Sequence, residues 1–384
     1  METLVLLGAS GSIGTQTLSI LKNAKKDFEL VGFSVGKRTR NISYLLKEYP
    51  TVKGICVGSS DKQKTYQKRF PNIKFFSGDE GLLELIDYCN PTMVENALVG
   101  FVGLVPTIHA LKKNLKVALA NKEALVVGGE LVNDLLAHGH GSLYPIDSEH
   151  SALWKCLKVD DQNVDKMIIT ASGGAFRKLT RDELTNVTAK DALAHPTWKM
   201  GAKITIDCAT MVNKSFEIIE AHYLFNYPSE KIMVLLHEES HIHSMLRYND
   251  GTYRAEISKP DMRNPIRFAL YLGEAPFKTY ASDDYHKFGA YHFHDFDIKR
   301  YPIVRYAKKV IDEKGTYGAV FNASNEEAVY EFLKGTIPFL AIEEIISKLM
   351  DTHVNKLHPT LNDLIKVDRE TREAVHKLIK ERRY

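Results

Sequence analysis

Up to about residue 145 the chain alternates short apolar runs with amphipathic stretches, the pattern of parallel strand–helix–strand units. Residues 4–7, 30–35, 54–57, 93–95, 117–120 and 142–145 read as strands. Between about residues 167 and 269 the pattern is mixed. Strands at 166–170 and 232–236 accompany one clear helix at 211–225, with Ile218, Ile219, Ala221, Tyr223 and Leu224 on its inner side. Residues 273–296 are rich in Tyr, His and Asp and weakly periodic, which reads as a linker. From Asp297 onward the pattern is helical, with Val304, Ala307 and Ile311 sharing a face. Ser324 and Glu327 form a capping-box signature before Ala328, Val329, Phe332 and Leu333, and Gly335 stops that helix. Stripes at Ile342, Ile345, Ile346, Leu349 and at Ala374, Val375, Leu378, Ile379 complete a C-terminal helical bundle.

Length supports this division, because 384 residues exceed one ordinary core and imply two or three domains. A hydrophobic fraction of 44%, 26% charged residues and a net charge of +3 are ordinary for a soluble globular protein and give no case for nucleic acid. Cys56, Cys89, Cys156 and Cys208 are scattered and form no CxxC pair. That argues against a zinc site or disulfide framework and fits a reducing, cytoplasmic setting. The apolar run at the N-terminus is too short and lacks the basic flank of a signal peptide. No run approaches the roughly 20 apolar residues of a membrane span.

The first candidate chemistry is Gly8-Ala9-Ser10-Gly11-Ser12-Ile13-Gly14, which leaves a strand and enters a helix. Glycines there permit a tight turn and close backbone approach to a pyrophosphate, which the helix N-terminus stabilises. The spacing is GxxGxxG, so it is the strand-to-helix context that carries the reading. After the second strand an NAD site would place Asp or Glu on the ribose 2′-hydroxyl. This chain has Gly36-Lys37-Arg38 and Arg40 instead, residues that pair with a 2′-phosphate, and the expected nucleotide is NADPH. The fold class expected is α/β, with a Rossmann-like doubly wound domain over 1–146. A central α+β catalytic domain over 147–272, the linker, and a helical domain over 297–384 follow.

The second is Asp147-Ser148-Glu149. Read as extended backbone, it points both carboxylates the same way. Two carboxylates repel unless a cation or proton lies between them, and oxygen-only ligands favour Mg²⁺ or Mn²⁺ over zinc. Asn213, Lys214 and Glu217 share one side of a helix, an arrangement able to hold a phosphate and complete a metal site.

With both segments in view, the sequence resembles the 1-deoxy-D-xylulose 5-phosphate reductoisomerase family. The resemblance runs in order through 8–14, 120–126, 147–152, 170–177, 195–201, 213–217, 240–245, 259–263 and 321–327. It implies conversion of 1-deoxy-D-xylulose 5-phosphate to 2-C-methyl-D-erythritol 4-phosphate, with NADPH and Mn²⁺ or Mg²⁺, in a homodimer. It implies metal ligation by Asp147, Glu149 and Glu217, with Lys122 stabilising substrate oxygens. Substrate contacts are implied for Ser148, Ser172, His195, Trp198, Cys208, Asn213, Lys214 and His243, the first of them to a substrate hydroxyl. His195 and Trp198 would belong to a closing loop. Cofactor contacts are implied for Ser10, Gly11, Ser12, Ile13, Gly36, Lys37, Arg38, Asn121, Glu123, Gly201 and Met262. Four departures stand out: Cys208 for a phosphate-binding serine, Ala175 for a proline, Arg38 for a common asparagine, and His237-Glu238-Glu239 for a His-Pro-Gln run. Two other readings compete: a divergent NADPH-dependent dehydrogenase of another phosphorylated substrate, and an NADPH sensor without catalysis. The sensor predicts loss of the metal carboxylates, yet all three are present.

Overall fold

A computed structural model describes residues 1–198, 200–274 and 289–382. The chain forms two compact units. Unit 1 comprises Met1–Ala124, Leu131–Asp147 and Met262–Glu274; unit 2 comprises Leu125–Glu130, Ser148–Asp261 and, of the remainder, the described residues 289–382.

Unit 1 holds a seven-stranded parallel sheet of β1 (Glu2–Leu7), β2 (Phe28–Val35), β3 (Gly54–Val57), β4 (Lys74–Ser77), β5 (Met93–Asn96), β6 (Lys116–Leu119) and β7 (Ser142–Pro145). Their order is β4-β3-β2-β1-β5-β6-β7. The chain winds outward to β4 and then returns to lay β5 beside β1, so the topological switch point falls at the C-terminal ends of these two strands. Leu4, Leu6, Phe33, Ile55, Phe75 and Met93 are wholly buried. Near-continuous apolar strands are what a sheet covered on both faces requires. The sequence pattern had missed β4, whose four residues bury only Phe75 and Phe76. Residues 262–274 cluster with unit 1, where Ile266, Ala269 and Leu270 of the helix Arg263–Leu270 join the same core as β1 and the helix Ser12–Asn23.

Unit 2 holds a five-stranded sheet in the order β11-β10-β8-β9-β12. Its strands are β8 (Val164–Ala171), β9 (Ile232–Leu236), β10 (Ile242–Tyr248), β11 (Tyr253–Ile257) and β12 (His294–Asp295). β8 and β9 are parallel, and the other pairings are antiparallel. The strand β12 falls inside the segment read as a linker; residues 275–288 of that segment lie outside the described residues. The helices Arg305–Glu313, Tyr317–Lys334, Phe339–Thr352 and Leu361–Arg382 form the C-terminal bundle.

One boundary read from the sequence fails. Ser324 does not start a helix: it lies in the middle of Tyr317–Lys334, wholly buried, with Oγ donating to the carbonyls of Val320 (2.7 Å) and Phe321 (3.1 Å). A serine can satisfy itself in this way inside a helix, so the spacing to Glu327 mimicked a cap. The stop at Gly335 holds, with φ +78.

Candidate active site

In unit 1 the turn after β1 is shaped by steric limits that only glycine meets. Gly8 has φ +90, and a β-carbon there would lie 2.5 Å from the Ala97 carbonyl oxygen. A β-carbon on Gly14 would lie 2.4 Å from the Gly8 carbonyl oxygen. The backbone of β1, the loop after β5 and the first turn of Ser12–Asn23 are thereby drawn together. Gly8 N–H donates to Ser34 Oγ (2.8 Å), which ties the turn to β2. Ser10, Gly11 and Ile13 are part-exposed and Ser12 is exposed at the helix start. At the end of β2, Gly36, Lys37 and Arg38 are all exposed. Lys62 Nζ, from the helix Ser60–Arg69, donates to the Lys37 carbonyl (2.8 Å) and adds a cation to that loop which sequence spacing had not suggested.

Asn121 and Glu123 follow β6. Asn121 is 1% exposed, and its amide nitrogen donates to Leu98 O (3.2 Å), Gly100 O (2.9 Å) and Glu123 Oε2 (2.9 Å). Its Oδ1 accepts from Ala124 N–H (2.9 Å). The side chain therefore fixes the loop after β5 against the start of the next helix. Between them lies Lys122, whose ammonium is paired with Asp147.

The carboxylates converge, though not by strand alternation. Ser148 opens the helix Ser148–Val159, so Asp147 stands just before that helix and Glu149 in its first turn. One oxygen from each of Asp147, Glu149 and Glu217 lies within 4.8 Å of the others. Asp147 and Glu217 are buried and Glu149 is half-buried. Ser148 Oγ donates to Glu149.

Glu217 comes from the helix Val212–Phe225, which starts after Met211 in the left-handed region at φ +67. The first ten residues of this helix are buried, Asn213, Lys214 and Glu217 included. Asn213 Nδ2 donates to Glu217 Oε1 (2.6 Å). Lys214 pairs with Glu217 and with Glu149 (3.2 Å), and donates to the Thr170 carbonyl (2.5 Å). Three converging carboxylates make a hard, oxygen-only donor set, which fits a divalent Mg²⁺ or Mn²⁺.

Beyond β8 the chain turns through Ser172, Gly173 (φ +87) and Gly174 (φ +67). A β-carbon on Gly174 would sit 2.6 Å from the Cys208 carbonyl oxygen, so this turn lies directly on the end of the helix Ala202–Thr210. Cys208 is half-buried, and burial and the Glu217 carboxylate push its thiol up, so the group stays a neutral SH. His195 Nδ1 accepts N–H bonds from Thr197 (3.2 Å) and Trp198 (3.0 Å), which leaves the proton of the neutral ring on Nε2. Nε2 faces Ser172 Oγ at 3.3 Å. Burial, reinforced by the Arg177 charge, pushes the His195 pKa down to about 4, so the ring is neutral at ordinary pH. Trp198 lies over His243, with ring centroids 6.3 Å apart, and His243 Nε2 meets Ser258 Oγ at 3.1 Å. Gly201 is exposed just before Ala202, and Met262 is half-buried just before Arg263. Lys199 lies outside the described residues.

Two supports escaped the sequence reading. Lys203 and Asp207 form a buried ion pair at 2.9 Å, and Asn325 Nδ2 donates to Asp207 (2.9 Å), anchoring the helix Ala202–Thr210 that carries Cys208. Their i, i+4 spacing was the available signal. Arg177 pairs with Glu238 at 2.8 Å, so one of the acids in the unusual His237-Glu238-Glu239 run clamps the strand-to-loop segment that begins at Ser172.

Sequence profiles of 1-deoxy-D-xylulose 5-phosphate reductoisomerase match residues 4–129, and those of its C-terminal domains match 143–225 and 257–374. A protein of that name from Geobacillus kaustophilus is 44% identical over 383 residues, covering 99% of this chain and 100% of the relative. One from Bacillus anthracis is 44% identical over 381 residues, covering 98% and 99%. Among solved structures, the Zymomonas mobilis reductoisomerase in complex with NADPH aligns with TM-score 0.90 at 34% identity, covering 98% of this chain and 99% of that one. A DOX-P reductoisomerase in complex with NADPH, fosmidomycin and magnesium aligns with TM-score 0.92 at 30% identity, covering 99% and 98%.

Proposed function

The chain belongs to the 1-deoxy-D-xylulose 5-phosphate reductoisomerase family, and from that premise we propose how its own residues divide the work. The reaction is the NADPH- and divalent-metal-dependent rearrangement and reduction of 1-deoxy-D-xylulose 5-phosphate to 2-C-methyl-D-erythritol 4-phosphate, a step toward isoprenoid precursors. The observation that carries the assignment of roles is the convergence of Asp147, Glu149 and Glu217 within 4.8 Å, the donor set for Mg²⁺ or Mn²⁺. When bound, the metal supplies Lewis-acid stabilisation while a carbon–carbon bond breaks and reforms, and NADPH supplies the hydride that reduces the resulting aldehyde.

Lys122, held by Asp147, places a positive charge for the substrate's oxygens, and Ser148 takes a substrate hydroxyl. Ser172, Asn213 and Lys214 hold the phosphate, with Cys208 at the helix end beside them. The neutral His195 donates from Nε2 on the same side as Ser172. Trp198, His195 and His243 exclude water, which strengthens each charge interaction. Ser10, Gly11, Ser12 and Ile13 bind the pyrophosphate through backbone N–H groups, and Gly36, Lys37 and Arg38 take the 2′-phosphate. Asn121, Glu123, Gly201 and Met262 complete the cofactor contacts.

Two features of the setting belong to the same proposal. The protein is a homodimer, a reading supported by β11 as an outer strand with Tyr253 and Ile257 exposed. It works in the reducing cytoplasm, as its four free cysteines favour, and no helix among the described residues is long and apolar enough to cross a membrane. The direct assay mixes protein, Mn²⁺, NADPH and deoxyxylulose phosphate. NADPH absorbance falls, methylerythritol phosphate accumulates, and EDTA stops both; nucleotide binding without turnover overturns the proposal.

A further inference from the structure

Glu95 lies in the middle of the parallel sheet of unit 1, on β5, opposite Leu6 of β1 and Ala118 of β6. It is wholly buried, and its Oε2 has no hydrogen-bond partner among the described residues. Among the described residues its partner is Thr17, with Oγ1 2.5 Å from Oε1. Thr17 belongs to the helix that starts at Ser12, is itself wholly buried, and its Oγ1 also lies 3.2 Å from the Ile13 carbonyl. Among the described residues, burial and the Thr17 hydrogen bond act on the Glu95 carboxyl, and burial outweighs the bond. The charged groups on the neighbouring helices are Lys22, on the same helix as Thr17, and Arg263 and Arg267, on the helix Arg263–Leu270.

We infer that Glu95 is a positioning residue for NADPH: as a neutral acid it anchors the first turn of the nucleotide-binding helix through Thr17. A hydroxyl has one hydrogen to give. With Glu95 protonated, its O–H donates to Thr17, and Thr17 donates onward to the Ile13 carbonyl, so the relay is complete. With Glu95 ionised, Thr17 must turn to the carboxylate and release Ile13. A buried negative charge then also stands beneath a helix start whose partial positive charge serves the anionic cofactor. Burial pushes the Glu95 pKa up to about 8, so the neutral form prevails at neutral pH and the anion forms just above it. NADPH binding and protonation of Glu95 therefore favour each other.

This inference rests on the reading that Gly8–Gly14 and Ile13 receive NADPH. The test is the NADPH dissociation constant of the whole protein from pH 6.5 to 9.5, for wild type and Glu95→Gln. A glutamine amide can donate to Thr17 but cannot ionise. Expected for wild type is a constant value to about pH 7.5, then a rise approaching tenfold per unit above pH 8, with kcat at saturating NADPH changing far less. Glu95→Gln binds within a few-fold of wild type at pH 7 and loses the rise. The same rise in Glu95→Gln overturns the inference while leaving the reading of the turn intact; no NADPH binding by wild type overturns both. Calorimetry on wild type alone, in two buffers of different ionisation enthalpy at pH 8.5, settles the matter if the variant does not fold. Proton uptake on NADPH binding is expected, and zero uptake overturns the inference.

Discussion

Replacing Gly174 by alanine probes the contact that builds the proposed phosphate pocket. The residue sits at φ +67, a conformation costing an L side chain about 1–2 kcal/mol. Its new β-carbon would lie 2.6 Å from the Cys208 carbonyl oxygen, whereas ordinary contact begins at 3.4 Å. The difference, 3.4 − 2.6, is about 0.8 Å, and it must be absorbed by backbone because the obstacle is the end of a helix. That helix is pinned by the buried Lys203–Asp207 pair and by Asn325, so the Ser172–Gly174 turn moves instead. A displacement approaching 1 Å in a group that positions substrate costs up to about 100-fold in rate. For Gly174→Ala we therefore expect kcat/KM for deoxyxylulose phosphate to fall roughly tenfold to 100-fold. The NADPH dissociation constant should stay within about twofold, and the melting temperature should drop by a few degrees. Steady-state kinetics with each substrate varied in turn, together with a thermal melt, separates these effects. A melt lowered as expected with unchanged kcat/KM would refute the reasoning, because the turn would have moved without consequence for substrate.

Cys208→Ser replaces a weak SH donor by a hydroxyl at the same pocket, and the Michaelis constant for deoxyxylulose phosphate should fall several-fold, about 1 kcal/mol for one modest hydrogen bond. If that constant does not fall, Cys208 does not contact phosphate. Stability should depend on pH through Glu95 with a definite sign. Its folded-state pKa of about 8 lies above the ordinary 4.5, so its contribution is complete below pH 4.5 and is lost as pH rises to about 8. The gap corresponds to roughly 3–5 kcal/mol, and Glu95→Gln should remove it; denaturant melts at pH 5 and pH 8 that give the same wild-type-minus-variant difference would contradict this.

Where apolar period and glycine spacing dominate, the sequence was legible. Six of the seven strands of the parallel sheet, the glycine turn and the helix carrying Asn213, Lys214 and Glu217 follow from local patterns that tertiary packing reinforces; the short β4 does not. Local patterns misled where a side chain had two uses. Ser324 matched a helix cap but is satisfied inside a helix by the carbonyls of Val320 and Phe321. Asp147 and Glu149 converge across the start of a helix, a geometry that strand alternation does not encode. Partners distant in sequence were out of reach: nothing local in Asp207 points to Asn325, or in Arg177 to Glu238. Glu95 carried a signal of its own, a carboxylate in an otherwise buried strand, and such a misfit asks for a partner or a proton.

The proposed chemistry depends most heavily on Asp147, Glu149 and Glu217 holding one divalent cation. Its most direct test is Mn²⁺ binding, followed by electron paramagnetic resonance, in wild type and Glu217→Gln, with NADPH affinity measured on the same samples. Glutamine keeps the shape of the side chain and its place beside Asn213 while removing one ligand charge. The account predicts one site in wild type and at least a tenfold weaker one in the variant, on the order of 1.4 kcal/mol or more, with NADPH affinity unchanged. Equal Mn²⁺ affinity in the two proteins would contradict it.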